Sequence, residues 1–372
     1  LAPPVDVLIV GAGPAGIASA ISASLQGLRA LVVDARKPPI EKCCGEGLLP
    51  QAVASLKRIG ISLRAPLASP LTGIRFTDAE SSARAPITPA PHAEAFGLRR
   101  SLLQQLLIER AGEVGVSFLW GAPVKTLEPN SVQIAGRSIG YRFLVGADGQ
   151  NSVVRKWAGL SPRRPFRRRF GFRRHFRVAH WTNLVEAHWG DRSQMILTPT
   201  SRDEICISFM TSRPRFRIAQ ALHEFPEVAA HLRHSEPSST EIGSITALGR
   251  VRSAVRGNVA LVGDAACIVD GVSGQGLSLA FQSAVELGEA LAREDLRLYE
   301  AAHRGISRRA MRMVQLMLLM DRSPWIRRKT LRLFEANPAL FAKVIAAHTG
   351  RSDAEELGAG DLVGLGWGVL RT

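Results

Sequence analysis

The spacing of apolar residues along the 372-residue chain changes several times, and each change marks a predicted element. Residues 5–10 are almost continuously apolar, as in a strand covered on both faces of a parallel sheet. The run ends in Gly11-Ala12-Gly13-Pro14-Ala15-Gly16, and a helix is predicted from Pro14 to about Leu25, closed by Gly27. A second strand follows over 28–33 and stops at Asp34. Residues 37–50 show no period and read as a loop, followed by a helix over 51–59. Residues 61–98 are rich in Pro, Ser, Thr and Ala, with short strand-like pieces such as 73–76. Ser101-Leu102-Leu103-Gln104 has the form of a capping box, and Leu103, Leu107 and Ala111 then share a helical face. Strands are predicted at 116–120, 124–127, 131–134 and 141–145. Beyond about residue 160 the predicted strands lie at 169–178, 185–189, 194–197 and 204–210, before a helix over 214–232 and a strand over 242–248. A last buried run, 257–262, leads to Gly263-Asp264 and then to an amphipathic helix bearing Leu277, Phe281, Ala284, Val285 and Leu291 on one face. Basic helix continues to about residue 348, and the Gly-rich tail 354–372 is expected to be loose.

Three glycine-bearing turns stand out from this pattern: residues 11–16, Gly146-Ala147-Asp148-Gly149, and Gly263-Asp264-Ala265-Ala266 with Gly274-Gln275-Gly276 beyond it. The first three of these stretches each follow an apolar strand, which places them at strand C-terminal ends, where open α/β sheets hold ligands. In the first, Gly11 suits the tight turn, Gly13 the approach of backbone to a pyrophosphate, and Gly16 close packing of helix on strand. The helix N-terminus aims free N–H groups at the phosphates. Asp34 stands where a carboxylate accepts hydrogen bonds from a ribose diol, which favours FAD or NAD over NADP. The fold class expected is α/β: a Rossmann-type FAD-binding domain with an inserted β-sheet substrate domain and a helical C-terminal cap. The first is assigned 1–60, 97–160 and 250–295, the second 61–96 and 161–249, and the helical region 296–372.

Size and composition narrow the setting. The four cysteines, Cys43, Cys44, Cys206 and Cys267, lack zinc spacing, and no metal site is expected. The N-terminus runs almost at once into the first strand without a leader-like stretch, and no apolar run reaches transmembrane length; a cytoplasmic setting, or one peripheral to a membrane, is expected. The formal net charge is +16. Residues 163–177 hold eight arginines and no acid, interleaved with phenylalanines, and Arg304 to Leu333 holds nine basic residues against Asp321 alone. Such runs read as solvated faces, as contacts for an anionic membrane or acidic partner, or as nucleic-acid contacts, the last being the least favoured.

With its three motifs in this order, the chain resembles the flavoprotein superfamily of p-hydroxybenzoate hydroxylase, which also contains geranylgeranyl reductases and flavin-dependent halogenases. The resemblance spans roughly residues 5–290. It implies FAD, held by Gly11, Gly13, Pro14, Ala15 and Gly16, with Asp34, Ala35 and Arg36 at the adenosine. It further implies Arg100 at the phosphates and ribose, Val124 at the adenine, Asp148 and Gly149 with Ser152 and Arg155, and Gly263 and Asp264 at ribityl or ribose hydroxyls. Cys44 and Gly45 belong to a flavin-side loop, and Gly274, Gln275 and Gly276 open a helix facing the flavin pyrimidine edge, where negative charge develops on reduction. The loop 43–50 resembles both the reductase and the halogenase versions. The halogenase Trp-x-Trp-x-Ile-Pro element is absent, and Leu71 stands at its lysine position. The aromatic reductase element is also absent, with Leu197-Thr198-Pro199 in its place.

The activity expected from the resemblance is FAD-dependent monooxygenation of a lipophilic, aromatic or polyketide-like small molecule through a flavin C4a-hydroperoxide kept dry by the second domain. The alternative is reduction of isoprenoid-type double bonds, with Cys44 or Glu46 relaying the proton and the basic helices docked on anionic lipid. Halogenation and a basic, nucleic-acid-binding flavoprotein are further alternatives. Candidate catalytic residues are Cys44, Glu46 and His188. His175, His180 and His188 are either satisfied structural groups or proton-handling residues over the ring, and Met313, Met317 and Met320 are either core or a soft substrate wall. NADPH or NADH is the expected transient reductant. No second Gly-x-Gly-x-x-Gly unit is visible, so the nicotinamide docks transiently or a separate flavin reductase supplies electrons.

Overall fold

The computed structural model describes residues 5–87, 93–134, 136–160 and 167–349. Two large sheets organise them. The first runs in the order Val255–Arg256, Val259–Leu261, Arg137–Gly146, Val5–Val10, Ala30–Asp34, Ser117–Trp120. All neighbours on this path are parallel except Val255–Arg256 against Val259–Leu261. The apolar residues of Val5–Val10, Ala30–Asp34, Arg137–Gly146 and Val259–Leu261 are largely buried in one core with the helices Pro14–Leu25 and Gly276–Ala292 and the arm Val124–Glu128, Ser131–Ile134, whereas the edge strand Ser117–Trp120 is partly exposed. Order and direction place Gly11, Gly146 and Gly263 side by side at the C-terminal ends of three adjacent strands.

The second sheet has nine strands, with Ile242–Arg250, Arg167–Arg177, Glu204–Thr211, Ser193–Ser201, Leu184–Trp189, Gly73–Thr77 and Ser82–Pro86 in that order. Cys267–Ile268 extends it beyond Ile242–Arg250, so the chain passes from one sheet to the other through the turn at Asp264. Period-two alternation sorts the side chains. Phe172, Phe176, Met195, Ile207 and Phe209 face away from the first sheet and pack on short helices. Val185, Ala187, Ile196 and Met210 face a cavity between the sheets.

Three expectations are corrected. The predicted helix over 214–232 is Ile218–Ala221, a 3-10 turn Leu222–Glu224, and Pro226–His231, because Pro226 holds Phe225 out of the helical region (φ −129°, ψ 68°). The basic C-terminal helix is three helices, Leu296–Arg322, Pro324–Ala336 and Pro338–Thr349. Each break is a residue before proline, Ser323 or Asn337, whose side chain accepts an N–H of the next helix. The capping box at Ser101 is not formed: the helix Arg100–Glu113 starts one residue earlier, and Gln104 is occupied elsewhere. The tail 354–372 lies outside the described residues.

The arginine-rich strand is not a solvated face. Its first part, 163–166, lies outside the described residues, but the largely enclosed Arg169 and the buried Arg173 are struts between layers. Arg169 reaches Gln194 at 2.8 Å, Asp270 at 3.2 Å and Asp321 at 3.5 Å, tying the second sheet to the 270s loop and to the helix Leu296–Arg322. Arg169→Leu leaves the buried Asp270 and the partly buried Asp321 without this cation. It should lower the unfolding free energy by about 3 kcal/mol, read as a shifted urea midpoint.

Candidate active site

A single cavity of about 590 Å³ runs from the first glycine turn to the apolar face of the second sheet. At its first end the turn 11–16 is fixed by close approach. Gly11 has φ +108°, and a Cβ there would lie 2.4 Å from the Ala147 carbonyl oxygen. A Cβ on Gly16 would lie 1.9 Å from the Gly11 oxygen. Gly13 differs: a Cβ there would meet no protein atom within 4 Å, and the residue lines the cavity. Asp34 accepts the Ala12 N–H (2.8 Å) and the Arg36 N–H (2.8 Å), which orients its carboxylate at the cavity wall beside Ala35 and Val124. Gln104 accepts the Ile40 N–H and donates to the Ala12 carbonyl, joining the turn to the loop that follows Asp34. Arg100 lines the same end; its guanidinium Nε is buried and has no hydrogen-bond partner.

The second turn is braced from within. Asp148 accepts from Ser152 Oγ (2.5 Å) and from the Val153 and Val154 N–H groups, capping the helix Val153–Trp157. Arg155 donates to the carbonyls of Gln150 and Ala265, linking the second turn to the third. Asp264 is ion-paired with Lys42 across the cavity. Beyond it, the helix Gly276–Ala292 starts at the cavity wall, with Gly274, Gly276 and Leu277 facing the space.

Gln275, expected at the cofactor, does not line the cavity. Its amide donates to the His348 carbonyl (2.5 Å) and approaches His348 Nδ1 (3.1 Å), while His348 Nε2 meets the Ser273 carbonyl at 3.0 Å. The C-terminal helix Pro338–Thr349 is thereby latched to the glycine turn, and His348 itself becomes cavity wall. Burial pushes the His348 imidazole down to about 4, so it is neutral, with its Nε2 proton given to Ser273. Nothing in the sequence signals this contact, since 73 residues separate the partners.

The loop 41–46 is clamped onto the second sheet. The Cys44 carbonyl accepts from Ser208 Oγ (3.2 Å) and Cys206 Sγ (3.7 Å). Glu46 sits at φ +61°, a strained conformation for a non-glycine residue. Its buried carboxylate accepts the Arg100 N–H (3.1 Å) and meets His175 Nε2 at 2.6 Å. Arg173 lies 3.8 Å from Glu46, pairs with Glu41, and directs Nη1 at His175 Nδ1 (3.1 Å). A guanidinium can only donate, so the Arg173 contact makes Nδ1 an acceptor and leaves Nε2 to face Glu46. Glu46, His175 and Cys206 offer ligand atoms within 4.8 Å of one another, but the Arg173 guanidinium already supplies the cation there. Burial pushes the Cys43 thiol up to about 12 and raises Cys44 as well, so neither is a thiolate at neutral pH.

His188 is corrected as a catalytic candidate. On the strand Leu184–Trp189, Val185 and Ala187 face the cavity, whereas His188 is on the other face, 2.9 Å from Glu186 and edge-on to Phe225. His180 binds the Ser201 carbonyl. Met317 lines the cavity, while Met313 and Met320 pack in the core beneath it. Leu71 is buried in that core too. Of the expected cofactor residues, all but Gly16, Ser152, Arg155 and Gln275 line the cavity; Gly16 lies beneath the turn it packs on, and Ser152 and Arg155 brace the second turn from behind. Lys42 and His348 were missed.

These features suit a dinucleotide: space against Gly13 that no protein atom fills, an orphaned buried guanidinium Nε on Arg100, and a helix N-terminus at each end. Fold and site together define a dinucleotide-binding α/β protein whose cradle opens onto an apolar pocket. The chain belongs to the family described as FAD binding domain, whose model matches residues 4–315, and FAD is the dinucleotide this family binds. It is 27% identical over 333 residues to a 3-(3-hydroxy-phenyl)propionate/3-hydroxycinnamic acid hydroxylase of Mycolicibacterium gilvum, covering 77% of this chain and 54% of that protein. It is 26% identical over 316 residues to menaquinone reductase of Mycobacterium tuberculosis, covering 78% of this chain and 77% of the relative. Among solved structures, p-nitrophenol 4-monooxygenase PnpA of Pseudomonas putida shares the fold with a TM-score of 0.79 at 16% identity, covering 94% of this chain and 99% of that one. The chain thus spans about half the length of the hydroxylase it matches and most of the reductase.

Two outcomes follow from this geometry. Gly13→Val should fold, its apoprotein melting within about 2 °C of the wild-type apoprotein, yet purify colourless; Gly16→Val should fail to fold, as scored by circular dichroism and flavin absorbance. Stability should also depend on pH through His348 and on His303, which burial likewise pushes down to about 4. Both bind a proton in the unfolded chain below about 6.5 but not in the folded one, so stability is full above that pH and declines toward pH 4. The slope, measured by urea midpoints, should reach about 1.4 kcal/mol per pH unit for each histidine, and His348→Gln should remove its share.

Proposed function

We propose that this chain is an FAD-dependent monooxygenase that places one oxygen atom on a lipophilic, aromatic small molecule, with NADPH or NADH as the electron source. The observation that carries this reading is the segregation within one cavity. Every charged lining residue, from Asp34 and Arg36 to Lys42, Glu46, Arg100, Asp148 and Asp264, stands at the dinucleotide end or its flanking loop. The far wall is Ile74, Phe76, Val185, Ala187, Ile196, Met210 and Met317. Such a wall takes an apolar ring and excludes water.

In this proposal, Gly13 and the N–H groups opening the helix Pro14–Leu25 hold the pyrophosphate with Arg100, and Asp34 holds the adenosine ribose. Asp264 exchanges its Lys42 partner for ribityl hydroxyls. The opening N–H groups of the helix Gly276–Ala292 stabilise negative charge at the flavin pyrimidine edge. FAD, once bound and reduced, supplies the activation of O₂. The protein's own part is orientation and dryness. The imidazoles of His175 and His348 are both fully engaged, so neither is free to move a proton. The proposed setting is cytoplasmic, supported by four unpaired cysteines.

A second reading, reduction of an isoprenoid-type double bond, is favoured by the fuller length match to the reductase relative. Against it, Glu46 is bound to His175 and Arg100, and burial weakens the Cys44 thiol as an acid. Oxygen separates the two. The holoprotein is reduced anaerobically with NADPH or NADH and mixed rapidly with oxygenated buffer. Monooxygenation is supported by a transient absorbance belonging to neither oxidised nor reduced flavin, and by one ¹⁸O atom from ¹⁸O₂ in the product of an aromatic panel. Direct return to oxidised flavin, with anaerobic turnover of a polyprenyl quinone, would instead establish the reductase.

A further inference from the structure

The exposed side of the C-terminal helices plays no part in the site described above. On Leu296–Arg322, the residues Arg308, Arg312, Gln315, Leu319 and Arg322 recur at helical spacing and form one exposed stripe. Leu319 is 46% exposed and Trp325, at the start of the next helix, 48%. Arg328 continues the charge, and Lys329 lies over the Trp325 ring. Between residues 305 and 334 the one acidic residue is Asp321, which turns inward to Arg169. Arg308, Arg312, Arg322 and Arg328 have no salt bridge among the described residues, whereas Arg304 and Arg332, at the ends of the stripe, are paired.

We infer that this face docks on an anionic lipid surface. The chemistry favours lipid over nucleic acid. An indole and an isobutyl side chain set among guanidinium groups match the boundary between acyl chains and phosphate headgroups. Leu319 has nothing to offer a base edge or a sugar. No helix among the described residues is long and apolar enough to cross a membrane, so the contact is one of lying on the surface. The inner side of the same helix sends Met317 into the cavity, which sets the docked face one helix diameter from the apolar pocket. The inference rests on the surface alone and stands whichever reaction the cavity carries out.

The test is cosedimentation of the full-length, FAD-loaded protein with vesicles of phosphatidylcholine, with and without phosphatidylserine. Binding should be at least ~10-fold stronger on the anionic vesicles and weaken with added salt. Arg308→Glu with Arg312→Glu should abolish the difference, and Trp325→Ser should weaken binding several-fold at constant charge, both with unaltered flavin spectrum and melting temperature. Equal binding to neutral vesicles, no binding to either, or no effect of Trp325→Ser would overturn the inference. So would duplex DNA that displaces the protein from anionic vesicles at equal phosphate concentration.

Discussion

The structure depends on three strand ends brought closer together than side chains normally allow. Gly11 approaches Ala147 and Asp148 so closely that a methyl group at position 11 would overlap the neighbouring backbone, and Gly16 rests directly on the Gly11 carbonyl. Because the strands are parallel and adjacent, this contact sets the first and second turns in one plane at their C-terminal ends. Arg155 then carries the second turn to the third by hydrogen bonds to backbone carbonyls. The nucleotide cradle is therefore backbone held to backbone, and the space left against Gly13 is what remains once that packing is satisfied.

The second constraint is electrostatic. Arg169 and Arg173 leave the sheet toward the first layer and end on carboxylates contributed by loops and by a distant helix. Buried pairs of this kind add little net stability but penalise any arrangement in which one partner is missing. Their consequence is positional. Arg173 and His175 hold Glu46 in a strained left-handed conformation, and with it the loop that carries Cys44 and Gly45 along the cavity. The C-terminal helices are tied in by Arg169, by stacking of Phe341 on Phe334 and its contact with Phe76, and by the His348 latch. The cavity wall is thus assembled from segments as far apart in the sequence as Val10 and His348.

The sequence by itself determined the nucleotide end. Long apolar runs, glycine turns and Asp34 are local signals, and a parallel strand followed by such a turn has few other uses, so the first turn, the Asp-Gly and Gly-Asp elements and the helix at Gly276 were legible, as were the strand positions of the second sheet to within a few residues. Helix breaks at Ser323 and Asn337 were written in the prolines that follow but were outweighed by the continuous amphipathic period. Tertiary structure alone decided the rest. Which face of Leu184–Trp189 meets the cavity depends on register against Gly73–Thr77, and a shift of one residue would exchange Ala187 for His188. Whether an arginine-rich strand is solvated or internal depends on where its carboxylate partners arrive, from positions 41, 46, 270 and 321. Gln104 and Gln275 have the right chemistry to touch a cofactor, yet each serves a neighbouring backbone group, because a buried amide takes the first partners that packing brings within reach.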